Sequence, residues 1–169
     1  MTTAATQRTR TTTWQDPHIG ARAGAELPGL EYLRAMIAGK LPPAPFAQTV
    51  GFSLVEANDG RAVFEIEPME FHYNPSGAVH GGVACTLLDS AMGCAVHTML
   101  NAGQGYTTAE LSVNIVRAAS ERSGPLRTIG TVVHCGRRLA TAEGRIVGPD
   151  GKLYAHGTTT CLVFDAEVR

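Results

Sequence analysis

A chain of 169 residues, 44% of them hydrophobic, is long enough to fold as one domain around a real core. Its 14 Lys and Arg nearly balance its 15 Asp and Glu, and the charges are scattered, so the basic surplus that a nucleic-acid partner demands is missing. Cys85, Cys94, Cys135 and Cys161 show neither CxxC pairing nor metal-ligand spacing; they read as free thiols in a reducing, cytoplasmic compartment, with no metal or cofactor expected.

Residues 1–15, MTTAATQRTRTTTWQ, lack the apolar stretch of a secretory signal. Residues 1–25 are expected to form a disordered tail ahead of one domain over 26–169. Within 28–39, Leu30, Leu33, Met36 and Ile37 stand at helical spacing between Pro28 and Gly39, which predicts a short amphipathic helix. Leu41-Pro42-Pro43-Ala44-Pro45 cannot continue it and is expected to be an extended linker. Strand-like segments 49–56 and 61–67, joined by Asn58-Asp59-Gly60, predict a hairpin.

The stretch NPSGAVHGGVACTLLDSAMGCAVH, residues 74–97, follows. A turn-forming loop with Pro75 and Gly77 leads into His80-Gly81-Gly82, and then into an apolar run to Leu100 broken by one carboxylate, Asp89. As a helix from about Gly82, it carries apolar or small residues on every side (Val83, Ala84, Leu87, Leu88, Ala91, Met92, Ala95, Val96), the pattern of a helix enclosed by protein. The run approaches the length of a membrane span, but Thr86, Asp89, Ser90, Gly93 and His97 interrupt it, so a core helix and no membrane partner are expected. After a break at 102–105, Val, Ile and Thr are dense in 107–118, 126–135, 138–147 and 153–164, predicting strands with turns at 121–125, Gly136 and Pro149-Asp150-Gly151. The economical packing is an α+β one: a long central helix wrapped by a curled antiparallel meander, plus the short N-terminal helix.

There is no P-loop and no GxSxG elbow, and the histidines at 18, 72, 80, 97, 134 and 156 never fall at helical spacing with a second metal ligand. Asp89 stands out instead. It lies too far into its helix to cap it, and an unpaired buried charge is expensive, so it is either satisfied by a neighbour such as Thr86, Ser90 or a strand Arg, or it does chemistry. Gly81-Gly82 either packs closely on a strand or presents bare amides at the positive end of a helix dipole to a carbonyl oxygen that turns negative. Asp89 is seven residues beyond Gly82, about two turns, too far to act on an atom held by those amides; an Asp89 from a second copy could face them. His80 reads as a structural imidazole bonding backbone, and Cys85 as a small core hydrophobe. Arg137 and Arg138, at a strand–strand turn, form either a solvated hairpin end or a clamp for phosphate.

Together, GLEYLRAMIAGKLPPAP, VGF, HYNPSGAVHGGVACTLLDSAMGCAV, TTAELSVNIVRAA and GRRLATAEGRIVGPDGKLYAHGTTTCLV resemble the hotdog-fold acyl-CoA thioesterases of the phenylacetate-degradation (PaaI-like) branch. The specific part is the succession Asn, Gly, HGG, Leu-x-Asp. The resemblance implies a hotdog fold and hydrolysis of a small or aromatic acyl-CoA. Asp89 matches the general base or nucleophile. Gly81, after His80 and beside the substrate-facing Gly82, matches the backbone N–H that holds the thioester oxygen. Asn74 matches an amide that positions water or thioester, and Thr108, with Thr107 as the alternative, a hydroxyl that assists the water. It further implies a homodimer with shared active sites, pairing into a homotetramer. Two rival readings remain: a hydratase or dehydratase on the same fold, with His80 as the catalytic imidazole, and a non-catalytic acyl-CoA-binding protein.

Overall fold

The computed structural model describes residues 6–165. Its centre is α4 (Gly81–His97), where Leu87, Leu88, Ala91, Met92, Gly93, Ala95 and Val96 are buried. Six antiparallel strands form one sheet around it, β1 (Phe52–Asn58), β2 (Arg61–Ile66), β3 (Gln104–Ile115), β4 (Leu126–Cys135), β5 (Leu139–Val147) and β6 (Leu153–Asp165). The expected α+β arrangement of one long helix in a curled antiparallel sheet is therefore present. The fully buried residues of α4 all lie from Leu87 onward, while Asp89, Ser90, Cys94 and His97 on the same stretch are half-buried. In the first half of the helix, Val83, Ala84, Cys85 and Thr86 are half-buried.

The order across the sheet is β1-β2-β4-β5-β6-β3, which bears out the expected meander for β4, β5 and β6 and corrects it for β3. β3 does not pair with β4, its successor in sequence; it lies at the far edge and pairs with β6 from Gln104↔Asp165 to Ile115↔Ala155. The cause is α4, which carries the chain across the concave face from β2 and delivers it to the opposite edge. Close passage of the helix is possible because Gly130 and Gly144, cross-strand partners in β4 and β5, have no side chain; Gly157, next in that row on β6, makes room for the β3 backbone at Ser112 instead. A Cβ at Gly130 would collide with the Ala91 carbonyl and the Met92 nitrogen, and one at Gly144 would lie 2.9 Å from Met92 Cγ. Glycine in a strand interior here marks close approach of another backbone.

Three helices precede the sheet. α2 (Gly29–Ile37) lies where the spacing predicted a helix. α3 (Pro45–Val50) is a correction, since Pro45 was expected in the linker and Thr49 and Val50 in a strand. Pro45 sits in the first turn, where its missing N–H costs nothing, and Gly51 ends the helix in the left-handed region at φ 89°, so β1 starts only at Phe52. α1 (Pro17–Glu26) corrects the expected disordered tail: Asp16 caps it by accepting from His18 N, with Pro17 at the first helical position. Residues 1–5 of that tail lie outside the described residues. Among the described residues, no helix is long and apolar enough to cross a membrane.

Gly130→Ala is expected to cost about 1–3 kcal/mol, because the added methyl meets main chain, which cannot step aside as a flexible side chain can. Urea unfolding of the two proteins measures it; an unchanged midpoint would show that helix and sheet are not in this close contact.

Candidate functional site

The loop before α4 is built by Asn74. Its side-chain oxygen accepts from Ser76 N at 3.0 Å, Ser76 Oγ at 2.7 Å and Ala78 N at 3.2 Å. That oxygen therefore shapes the turn, leaving the side-chain NH2 as the part of Asn74 able to meet a ligand. The loop places His80 as the N-cap of α4, where its Nδ1 accepts from Gly82 N at 2.9 Å. His80 O accepts from Val83 N at 2.9 Å. Gly82 and Val83 are thus committed, while the Gly81 N–H has no hydrogen-bond partner among the described residues. Of the amides at this positive helix end, Gly81 offers an open donor.

Asp89 lies on the same helix, half-buried, and accepts a 2.8 Å hydrogen bond from Thr108 Oγ1. Among the described residues it makes no ion pair, so the strand Arg that would have given it a purely structural role is not there. Thr108 reaches it from β3, where the pairing with β6 shifts register between Thr108 and Glu110. Thr107 is exposed, as the alternation of a strand requires, and pairs with Leu162. Of the two threonines, it is Thr108 whose hydroxyl meets the carboxylate. Gly81 and Asp89 are eight residues apart, about 12 Å along the axis at 1.5 Å per residue. One copy of the chain therefore does not bring its own amide and its own carboxylate to one atom.

Arg137 and Arg138 lie exposed in the β4–β5 turn. The pairing Thr107↔Leu162↔Leu139 places them at the end of the cross-strand row that holds Thr107, two strands or about 10 Å away.

Asp89 opens onto a cavity of 690 Å³ between α4, α2, α3 and the start of β1. Leu33, Met36, Phe46, Phe52, Leu54 and Phe64 give it apolar walls, and Ser90, Cys94, His97, Tyr32 and Tyr106 add polar atoms. The sequence reading missed this second group. His97 stacks on Tyr32 with ring centroids 5.4 Å apart and meets Tyr106 edge-on at 5.6 Å. Burial holds the His97 imidazole below its ordinary value, raises the Tyr106 phenol well above its own, and pushes the Cys94 thiol up to about 12. All three are therefore neutral near pH 7. A signal was available: Asp89, Gly93 and His97 recur every four residues, one face of a helix. Gly93 is what lets Tyr106 in, since a Cβ there would sit 2.7 Å from its hydroxyl. Among the described residues, no cluster of His, Cys, Asp or Glu could hold a metal ion.

A profile of the thioesterase superfamily matches residues 76–155, the span from the loop through α4 to β6. A Halobacterium salinarum protein named as a candidate esterase is 34% identical over 59% of this chain and 68% of its own length. The 1,4-dihydroxy-2-naphthoyl-CoA hydrolase of Listeria monocytogenes is 25% identical over 69% of this chain and 93% of its own. Among solved structures, a phenylacetic-acid-degradation-related protein of Ralstonia eutropha JMP134, described as a candidate thioesterase, superposes with a TM-score of 0.69 at 28% identity, covering 78% of this chain and 98% of its own.

The lowered His97 predicts how stability follows pH. The unfolded chain takes up a proton near the ordinary value of 6.5, while the folded protein does so only at lower pH. Stability from neutral His97 is full above that value and is lost as pH falls from about 6.5 towards the depressed one. The urea midpoint is expected to drop between pH 7 and pH 5, and His97→Phe to flatten that drop; equal slopes in the two proteins would contradict it.

Proposed function

The chain belongs to the thioesterase superfamily, and on that premise we propose that this hotdog domain hydrolyses an acyl-CoA with a small or aromatic acyl group to free acid and CoA. The observation that carries the reading is the Asp89 carboxylate, which borders a largely apolar cavity, bonded to a hydroxyl and with no cation among the described residues to neutralise it. The similarity to a naphthoyl-CoA hydrolase and to a phenylacetic-acid-degradation-related protein supports an acyl-CoA substrate.

In this reading the acyl group enters the cavity and the thioester carbonyl lies between two copies of the chain. Asp89 of one copy takes a proton from water as the water oxygen bonds to the carbonyl carbon, a step that general-base catalysis accelerates by about 10²–10⁴. The carbonyl oxygen, now negative, accepts from the Gly81 N–H of the other copy, a donor of a kind that contributes about 3 kcal/mol to the transition state. Collapse breaks the C–S bond, and the proton on Asp89 passes to the departing thiolate. Thr108 fixes the carboxylate rotamer, and the Asn74 NH2 helps place the water or the thioester. Gly82 lets the substrate come close to the helix start. His80 acts by capping α4 with its Nδ1, which is a reason to prefer hydrolysis over a hydration reaction that would need a free imidazole. The half-exposed first part of α4 and the unpaired edge of β3 are the surfaces that a homodimer would cover, and two dimers would pair into a tetramer. Arg137 and Arg138 hold the CoA phosphates.

Asp89→Asn is expected to lower kcat for acyl-CoA hydrolysis by at least about a hundredfold with an unchanged unfolding midpoint, read by release of free thiol. Near-normal turnover would remove Asp89 as the base, and a variant that still turns over is also what a purely acyl-CoA-binding role would not predict. Separately, Arg137→Ala with Arg138→Ala should raise KM for CoA esters and leave short thioesters without phosphate nearly unaffected; equal losses on both would argue against a phosphate clamp.

A further inference from the structure

The chain ahead of α2 takes no part in the chemistry just described, yet it is fastened to the domain at several points. Arg10 donates from Nη1 to Thr49 O at 2.6 Å and from Nη2 to Gln48 O at 3.2 Å. These carbonyls belong to the last turn of α3, where no helical N–H is left to meet them. The same guanidinium lies 3.9 Å from the centroid of the Phe71 ring, and Arg8 pairs with Glu70 at 2.7 Å. Further on, Gly20 and Gly24 allow α1 to seat against Tyr32, and the Ala25 carbonyl accepts from Gly103 N at 3.1 Å. Between these anchors, Gln15 and Ile19 reach the same cavity that Asp89 borders.

From this placement we infer that residues 8–26 form a strap that serves as a wall of the acyl cavity, and that Ile19 is a specificity-determining residue limiting the size of the acyl group. The inference rests on the acyl-CoA thioesterase reading above. Ile19 contributes no polar atom to the site; it occupies space that a longer acyl chain would fill. Arg10 acts one step removed, by holding the strap onto α3. An apolar wall discriminates by volume, and each methylene accommodated or refused in such a pocket changes kcat/KM about tenfold or more.

The test is a series of saturated acyl-CoA esters from butyryl to palmitoyl, with phenylacetyl-CoA beside them, run on the full chain by thiol release. Ile19→Trp is expected to lower kcat/KM for the longest esters that the wild type accepts by about tenfold while leaving butyryl-CoA nearly unchanged. Ile19→Ala and Arg10→Ala are expected to move the profile the other way, towards longer chains. If all three proteins keep the wild-type chain-length profile while hydrolysing normally, the strap does not bound the acyl site and the inference falls alone. If the wild type releases thiol from no member of the series, the hydrolase reading falls and takes this inference with it.

Discussion

A single carboxylate on an otherwise apolar helix is the constraint that gives the molecule its meaning. Asp89 sits half-buried on α4, bonded by Thr108 at 2.8 Å and paired with no cation among the described residues. A carboxylate facing an apolar cavity with no counter-ion adds nothing to the packing of the helix. A chain selected for stability alone would place an alanine or a leucine there. The hydroxyl of Thr108 gives the carboxylate one hydrogen bond.

Everything else follows from how α4 is held. Gly130 and Gly144 bring the sheet against the helix, Gly130 onto its backbone and Gly144 onto the side chains of Met92 and Leu88, and the crossover delivers β3 to the edge where Thr108 can reach Asp89. At the helix start, the two neighbours of the Gly81 N–H are handled differently from it: His80 satisfies Gly82 with its ring and Val83 with its carbonyl. The result is one open amide at the positive end of a dipole and one uncompensated carboxylate about 12 Å further along. Two groups that cannot meet within one copy, on a helix whose first half is only partly covered, are what the proposed shared site would bring together.

The α4 helix and the strands β4, β5 and β6 were readable because their patterns are long and their turns carry Gly, Pro and Asp. Asp89 and Gly81 were readable as single anomalies in that regular pattern. What escaped has identifiable causes. The α3 helix hid behind a proline-rich stretch that reads as extended until Pro45 is taken as a first-turn residue. The α1 helix is rich in Gly and Ala, with Ile19 its one large apolar residue, so no spacing of apolar residues marks it, and it seats against Tyr32. The place of β3 depends on where a crossover lands, which no local pattern encodes. The choice between Thr107 and Thr108 is decided by a register shift in β3. The cluster brings Tyr32 from α2 onto His97 and Tyr106, more than sixty residues later in the chain, and only the four-residue recurrence of Asp89, Gly93 and His97 hinted at it.

In the proposed reaction each site takes its carboxylate from one chain and its amide from another. Gly81→Pro removes the N–H at the first helical position, where proline is well tolerated, and His80, at φ −62° and ψ 137°, already has the extended backbone that a residue before proline needs. Asp89→Asn and Gly81→Pro proteins, each inactive alone, should be co-expressed with different tags and the mixed dimer isolated. A shared site predicts that the mixed dimer recovers about half of wild-type turnover, because one of its two sites has both intact groups. A mixed dimer as inactive as its parents would contradict the account.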